Sequence, residues 1–291
     1  MTIGFIGYNN KIEKVAEQIN KSSKFSLSGF YTSGNLKEVK FKALDQQEII
    51  DQSEILFIGK EEADLNICSN AIKKSKHLFF EAPFIFTVTE FRELFELAKE
   101  SDSLIHFNQY FLNDPIYNKI AKLSPDLIKC KISYSPLENK SEKQKQDIFK
   151  LTALIQNIKK TGIRKINTHP GSHLKNQYTY LSVQFDNGLL VSALINSINT
   201  ENEFILHTFQ QNQQYKIDLL NHEITSHKLK TKEKQTETSK KQFKHKDNLY
   251  FEEIKRFFET IRSKDDKPVT IIEESEEILE LTYRIKNELE G

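Results

Sequence analysis

Short apolar runs and longer amphipathic stretches alternate along the first part of the chain. The apolar runs predict strands at 3–7, 25–31, 54–59, 77–83 and 104–108. Between the first two, "KIEKVAEQIN" carries Ile12 and Ile19 on one face of a predicted helix. Strands that alternate with amphipathic helices favour a parallel sheet with helices on both faces. We therefore predict an α/β domain over residues 1–117, with ligands bound beyond the carboxyl ends of its strands.

After Pro115 the pattern changes. Residues 115–122 and "DIFKLTALIQNI" predict helices, a charged stretch "LENKSEKQKQ" lies between them, and several β-like runs follow from 163 to 229. Among these runs, "DNG" at 186–188 is a strong signal for a hairpin between antiparallel strands. We predict a second domain over residues 118–291, of α+β class with a mostly antiparallel sheet, ending in two helices.

The run "YTYLSVQFD" alternates strictly. Tyr178 and Tyr180 share one predicted strand face with Ser182 and Gln184, while apolar residues dominate the other face. A mixed polar and aromatic face suits contact with another copy of the chain. Residues 228–247 are rich in lysine and nearly free of apolar residues, which favours a solvated loop or long edge hairpin over a polyanion-binding arm.

The composition is that of an ordinary globular protein: of 291 residues, 37% are hydrophobic and 29% charged, with a net charge of +1. This balance predicts no partnership with nucleic acid or membrane. Cys68 and Cys130 are expected to be buried thiols in a reducing compartment, and the absence of a leader pattern favours a cytoplasmic location. His169 and His173 are expected in a loop broken by "PG", so no metal site is predicted.

Five segments carry a more specific signal through their order along the chain. They are "IGFIG", "KHLFFEAPFIFTVTEFRELFELAKES", "HFNQYFLNDPIYNKI", "VQFDNGLLVSAL" and "YFEEIKRFFETIRSKDDKPVTIIEESEEILEL". Taken together, they resemble the Gfo/Idh/MocA family of two-domain NAD(P)-dependent oxidoreductases, which act mostly on sugars and polyols. The resemblance implies a Rossmann-type first domain and a C-terminal sheet that forms contacts between copies, hence a homo-oligomer.

The resemblance also implies a dinucleotide site. Its cofactor-binding positions correspond to Gly7, Tyr8, Asn9, Asn10, Lys11, Thr32, Ser33, Gly59, Lys60, Glu81 and Asn108. The first turn differs from the family's at two positions: Asn9 and Ile12 stand where the family has its second and third glycines. At the end of the second strand, the hydroxyls of Thr32 and Ser33 replace the usual acid, which favours NADP over NAD. Glu61 and Glu62 in the third turn are expected to bring negative charge near the pyrophosphate.

The family's catalytic groups are absent at the matching positions. Its Glu-Lys-Pro motif reads Glu81-Ala82-Pro83, and no histidine follows Asp147 at the expected spacing. Tyr110 and Asp147 are the candidates for a substitute proton donor. We predict an NAD(P)-dependent oxidoreductase homologue with impaired or atypical redox activity toward a small molecule. The alternative is a non-catalytic ligand-binding, regulatory or structural protein that keeps the fold and binds no dinucleotide.

Overall fold

The computed structural model describes residues 1–22, 24–34, 40–81, 86–134, 140–158, 162–173, 176–196, 201–230, 235–244, 248–263 and 278–285. The chain forms two compact units: Met1–Tyr110 with Asn248–Glu280, and Phe111–Asp247 with Leu281–Gly291. The first unit is therefore built from two separate segments of chain. The boundary near residue 117 stays a prediction about independently folding domains. Ala82 and Pro83 lie outside the described residues, as does much of the C-terminal tail.

The first unit contains a parallel sheet of five strands in the order β2-β1-β3-β4-β5. The strands are β1 Thr2–Ile6, β2 Ser26–Tyr31, β3 Ile55–Ile58, β4 His77–Phe80 and β5 Ile105–Phe107. The helices that alternate with them are α1 Asn10–Asn20, α2 Gln46–Gln52, α3 Leu65–Lys73 and α4 Val88–Glu100. The predicted strands and the α/β class are confirmed.

Burial of both sheet faces explains why these strands are continuous apolar runs. Phe57 and Phe79 stack across β3 and β4 with ring centroids 4.6 Å apart, and Phe5 stacks on Phe30 at 4.9 Å. The predicted apolar face of α1 lies in the same core, where Ile12 is 2% exposed. Such interlocking of side chains fixes the carboxyl edge of the sheet, on which the candidate site stands.

Helix α7 (Leu249–Ser263) follows α5 (Pro115–Ile120) and α6 (Lys140–Ile158) along the chain but belongs to the first unit. Phe257 packs on Phe79 with a centroid distance of 5.7 Å, and Phe258 packs on Phe25 at 4.2 Å. Both α7 phenylalanines are almost fully buried. The core of the first unit is therefore completed by a segment distant in sequence.

The second unit contains a sheet of eight strands in the order β13-β12-β11-β10-β6-β9-β8-β7. Its strands are β6 Leu127–Ser133, β7 Ile163–His173, β8 Asn176–Phe185, β9 Leu190–Asn196, β10 Glu203–Gln210, β11 Gln213–Asp218, β12 Glu223–Lys230 and β13 Gln235–Gln242. Its helices are α5 Pro115–Ile120 and α6 Lys140–Ile158. Among the strand pairs that the structure describes here, only β6–β9 is parallel, so the predicted mostly antiparallel sheet is confirmed.

Three local predictions for this sheet are also confirmed. Gly188 adopts φ +85° in the turn that joins β8 to β9. Tyr178 and Tyr180 on β8 are exposed, while Leu181 on the opposite face is fully buried. The lysine-rich segment forms the β12–β13 edge hairpin within its described part, and every residue of β13 is exposed.

Two predictions were wrong in detail. The sequence predicts that the charged stretch before "DIFKLTALIQNI" lies outside the helix, but α6 begins at Lys140. Lysine, glutamate and glutamine are good helix formers, so the helix begins before the apolar stretch. His169 and His173 lie in strand β7 rather than in a loop. The strand tolerates Pro170 because β7 is the edge of the sheet.

Strand geometry separates these two histidines. Residues four positions apart on a strand lie about 13 Å apart. Within the described ranges, no group of three or more histidine, cysteine, aspartate or glutamate side chains could hold a metal. No helix in the same ranges is long and apolar enough to cross a membrane.

Candidate functional site

The turns that follow the five parallel strands meet at one edge of the first unit. Parallel strands place their carboxyl ends together, which is where ligands bind in such sheets. The predicted cofactor-binding residues all lie on these turns or at the start of α1: Gly7, Tyr8, Asn9, Asn10, Lys11, Thr32, Ser33, Gly59, Lys60, Glu81 and Asn108. The topology thus brings together residues from five separate stretches of chain.

The turn after β1 requires glycine on two counts. Gly7 adopts φ +97°, a conformation that side chains rarely permit. A Cβ atom on Gly7 would also lie 3.2 Å from the Gly59 Cα atom. The Gly7 N–H donates to the Tyr31 carbonyl at 2.8 Å, which locks this tight turn against β2.

Asn9, at the family's second glycine, caps helix α1. Its Oδ1 atom accepts from the Ile12 N–H at 2.9 Å, as an N-cap side chain does. The first intrahelical bond runs from the Glu13 N–H to the Asn9 carbonyl. The backbone N–H groups of Asn10 and Lys11 precede that bond, so they are the donors that the helix can offer to a phosphate.

Ile12 stands at the family's third glycine and belongs to the core. Its side chain is 2% exposed, and its Cδ1 atom would lie only 3.0 Å from a Cβ on Gly59. This burial shows that Ile12 fills the core at the position where the family has glycine. Gly59 leaves the space into which Ile12 packs.

The Asn9 side chain also links the turns after β1 and β4. Its Nδ2 atom donates to Glu81 Oε2 at 3.2 Å. The neighbouring turn after β5 joins the same network, because Asn108 Nδ2 donates to the Glu81 carbonyl at 3.4 Å. The Tyr110 N–H in turn donates to Asn108 Oδ1 at 3.2 Å. Three turns are thereby connected by asparagine side chains.

Thr32 and Ser33, at the end of β2, donate hydrogen bonds to the Glu62 carboxylate, a contact that the sequence did not predict. Glu62 Oε1 accepts from the Thr32 hydroxyl at 2.6 Å and from the Ser33 N–H and hydroxyl, each at 3.0 Å. Glu62 comes from the 3-10 turn Lys60–Glu62 after β3. The sequence predicts Glu62 near the pyrophosphate. No local pattern shows that its side chain instead reaches across the sheet edge to the end of β2.

Tyr8 and Lys60 occupy the flanks of this edge. The Tyr8 hydroxyl hydrogen-bonds Glu13 on α1, and burial together with that carboxylate raises the pKa of the phenol. Glu13 in turn pairs with Lys40 at 2.8 Å, and this pairing lowers the pKa of the Glu13 carboxyl. Lys60 is exposed in the turn after β3.

Tyr110, one of the two candidate proton donors, lies beside a second tyrosine, Tyr250, that no local sequence pattern singles out. The rings of Tyr110 and Tyr250 are 6.0 Å apart. Burial raises the pKa of Tyr250 well above its usual value, and the carboxylates of Glu81 and Glu253 raise it further. Tyr250 therefore stays protonated at neutral pH. Its place on α7 explains why local sequence patterns missed it.

Asp147, the other candidate, lies on α6 in the second unit. It is 4% exposed, and Lys150 Nζ lies 3.0 Å from its Oδ1 atom. The Tyr134 hydroxyl donates to Asp147 Oδ2 over a long 3.4 Å contact, and burial followed by the Asp147 charge raises the pKa of Tyr134. Both oxygens of Asp147 are therefore engaged within its own unit.

The residues at this edge fit a dinucleotide in the main, with one departure. The positive φ of Gly7, its close approach to Gly59 and the start of α1 form the tight turn that such a ligand needs. The end of β2 offers a carboxylate in Glu62. The departure is Asn9, whose side chain accepts the Ile12 N–H and stands where the family has glycine.

Comparison with known proteins supports the fold from structure, whereas neither known protein-family models nor curated protein sequences match the chain. UDP-N-acetylglucosamine 3-dehydrogenase GnnA from Acidithiobacillus ferrooxidans aligns over 100% of this chain and 98% of its own, with a TM-score of 0.81 and 14% identity. Biliverdin reductase from Synechocystis sp. PCC 6803, described in complex with biliverdin and NADP+, aligns over 100% and 99%, with a TM-score of 0.77 and 14% identity.

A third solved structure carries the family name itself. A Gfo/Idh/MocA family oxidoreductase from Vibrio cholerae aligns over 100% of both chains, with a TM-score of 0.71 and 13% identity. Coverage of both units in these alignments agrees with the resemblance drawn from the ordered sequence segments. The chain therefore has the two-part fold of the Gfo/Idh/MocA oxidoreductases.

Proposed function

We propose that the chain is a nicotinamide-dinucleotide-dependent oxidoreductase that works without the lysine and histidine of the Gfo/Idh/MocA family. The observation that carries this proposal is the first turn, where Gly7 at φ +97° lies against Gly59 directly before α1. Such a turn presents a helix N-terminus at the carboxyl edge of a parallel sheet, where dinucleotides bind. A solved structure of the same fold is described as a complex with NADP+.

Each turn at this edge would contact a different part of the dinucleotide. The N–H groups of Asn10 and Lys11 at the start of α1 would hold the pyrophosphate. The end of β2, with Thr32, would hold the adenosine ribose, and the turns of Glu81 and Asn108 would face the nicotinamide end. When bound, the dinucleotide supplies the hydride, so the chain needs only to orient it and to manage a proton.

The chain lacks the two side chains that the family resemblance implies for proton transfer. Ala82 stands at the family's lysine, and Leu151 stands four residues after Asp147, where a histidine would be expected. Asp147 is already engaged with Lys150 and Tyr134. We therefore propose that Tyr110, on the turn after β5, provides the proton to an easily reduced carbonyl substrate, with solvent as the ultimate source.

Calorimetric titration of the purified chain with NADH, NADPH and their oxidised forms tests the proposal. Binding of at least one form at micromolar concentration supports a working dinucleotide turn. Absence of binding at millimolar concentration would overturn the oxidoreductase proposal. Thermal shifts with the same four compounds provide an independent readout, since a ligand that binds only the folded state raises its melting temperature.

A substrate screen then separates reduction from polyol oxidation. We expect turnover of an activated carbonyl compound and no robust oxidation of common sugars or inositols with NAD. Replacement Tyr110→Phe should lower kcat by about 100-fold or more, the usual range for loss of a general acid. Asp147→Asn serves as the comparison and should leave kcat within a few fold. Efficient NAD-linked polyol oxidation would contradict the proposal.

A second candidate function is a non-catalytic ligand-binding or regulatory role. It is favoured by Asn9, whose side chain satisfies the Ile12 N–H and bonds to Glu81 without any ligand. In this case the cleft would hold a different small molecule or the chain would act through a protein partner. The same titration distinguishes the two functions, because only the first requires a dinucleotide to bind.

A further inference from the structure

The Glu62 carboxylate occupies the end of β2, although its own residue follows β3. Three hydrogen bonds hold its Oε1 atom there: those from the Thr32 hydroxyl, the Ser33 hydroxyl and the Ser33 N–H, at 2.6, 3.0 and 3.0 Å. Three donors on one oxygen define its position far better than a single surface contact would. The Glu62 carboxylate is therefore held at the end of β2 by these three hydrogen bonds.

The second carboxylate oxygen of Glu62, Oε2, accepts no hydrogen bond from the described part of the chain, where all three bonds to this carboxylate end on Oε1. An ionised carboxylate carries about four lone-pair sites, so it can accept further donors on that oxygen. Glu62 is only partly buried, which leaves a ligand able to reach it.

The same contacts change what the end of β2 can recognise. Without Glu62, the hydroxyls of Thr32 and Ser33 would suit a phosphate, because each can donate a hydrogen bond. With Glu62 in place, those hydroxyls already donate to a carboxylate. A carboxylate accepts hydrogen bonds from vicinal hydroxyl groups and repels a phosphate.

We infer that Glu62 is the specificity-determining residue for the adenosine ribose: it supplies, from the turn after β3, the acid that is missing from the end of β2. The chain consequently selects an unphosphorylated ribose, and therefore NAD(H) over NADP(H). This inference rests on the proposed function, and it reverses the NADP preference expected from Thr32 and Ser33 alone. The recognition is built by two segments that lie 30 positions apart.

The Cβ and Cγ atoms of Glu62, its side-chain stem, lie beside the first turn, and this also fixes the direction of the side chain. A Cβ on Gly7 would lie 3.4 Å from the Glu62 Cγ atom and 3.5 Å from its Cβ atom. The stem therefore runs alongside the glycine turn before the carboxylate reaches Thr32. Glu62 links the first turn to the end of β2, so its position depends on both.

The experiment compares NADH and NADPH binding by calorimetry in the unmodified chain, in Glu62→Gln and in Glu54→Gln. Glutamine removes the charge but keeps an oxygen that can accept from Thr32 and Ser33. Glu54 precedes β3 at the opposite edge of the sheet and bonds to the Thr2 N–H, so its replacement makes the same charge change far from the site. Circular dichroism and thermal melting of each variant establish that it is folded.

We expect the unmodified chain and Glu54→Gln to bind NADH about tenfold or more tightly than NADPH, a ratio that Glu62→Gln lowers by about tenfold. A purely structural role would weaken both coenzymes equally and leave the ratio unchanged, which would overturn the inference. Equal affinities in the unmodified chain would also overturn it while leaving the proposed function intact. Absence of binding by every folded form would overturn the proposed function and the inference with it.

Discussion

The His106 Nε2 atom lies 2.8 Å from Glu253 Oε1, and both side chains are largely buried. The same glutamate oxygen accepts the Gln109 N–H at 2.7 Å. One carboxylate from α7 thus holds both β5 and the turn that follows it. In the described part of the chain, His106 Nδ1 has no hydrogen-bond partner, which makes the Glu253 contact the polar anchor of this ring.

Replacement Glu253→Ala should lower the free energy of unfolding by about 3–5 kcal/mol, because it leaves a largely buried imidazole and a partly buried N–H without their acceptor. Denaturant unfolding measures the loss. Glu259→Ala is the matched control, since Glu259 is exposed on the same helix. A loss no larger than that of the control would show that the buried contact contributes little.

Gly7→Ala should destabilise the chain more than Gly188→Ala. Both glycines have positive φ, which costs alanine about 1–2 kcal/mol. Only at Gly7 does the new methyl group meet backbone, the Gly59 Cα at 3.2 Å, whereas nothing lies within 4 Å of a Cβ on Gly188. The contact should add about 1–3 kcal/mol. Equal losses in thermal unfolding would contradict the close approach of the two turns.

Ile12→Ala should cost about 2–5 kcal/mol and Ile12→Val about 0.5–1.5 kcal/mol, because the side chain is buried. Ile12→Gly restores the family's third glycine but should cost more than alanine, by about 1 kcal/mol for the helix. Chemical denaturation of the three variants gives the order. If the glycine variant were as stable as the unmodified chain, Ile12 would not be part of the core.

Stability should fall as the pH is lowered through the range of free histidine, with His77 contributing. Burial lowers the pKa of His77, and its Nδ1 atom accepts from the Leu104 N–H at 3.0 Å. The unfolded chain therefore binds a proton more readily than the folded one below about pH 6.5. In His77→Asn the loss of unfolding free energy between about pH 7.5 and about pH 5 should be smaller. An identical pH dependence would remove His77 as a cause.

Association of copies through the outer face of the second sheet stays a prediction, and two residues test it. Tyr180 and Leu194 pair across β8 and β9 and are 43% and 37% exposed. Tyr180→Asp combined with Leu194→Asp should reduce the mass measured by light scattering, because charges disfavour burial in an interface. Leu229→Asp, an equally exposed leucine on β12, should leave the mass unchanged. A monomeric unmodified chain would refute the prediction.

Local sequence patterns were enough to predict the elements whose signals lie within a few residues. A strand of a buried parallel sheet must be apolar throughout, so β1 to β5 were evident as continuous runs. The apolar face of α1 and the turn at 186–188 follow from spacing and from glycine chemistry within a few residues. The order of these elements was enough to indicate the fold.

The contacts that shape the candidate site come from packing between segments distant in the chain. Glu62 meets Thr32 across 30 positions, Asn9 meets Glu81 across 72, and His106 meets Glu253 across 147. No periodicity encodes such pairs, because they depend on which strands become neighbours and on how far each side chain reaches. The sequence thus predicted where the glycine turn before α1 would form, and the packing of distant segments determined which polar groups surround it.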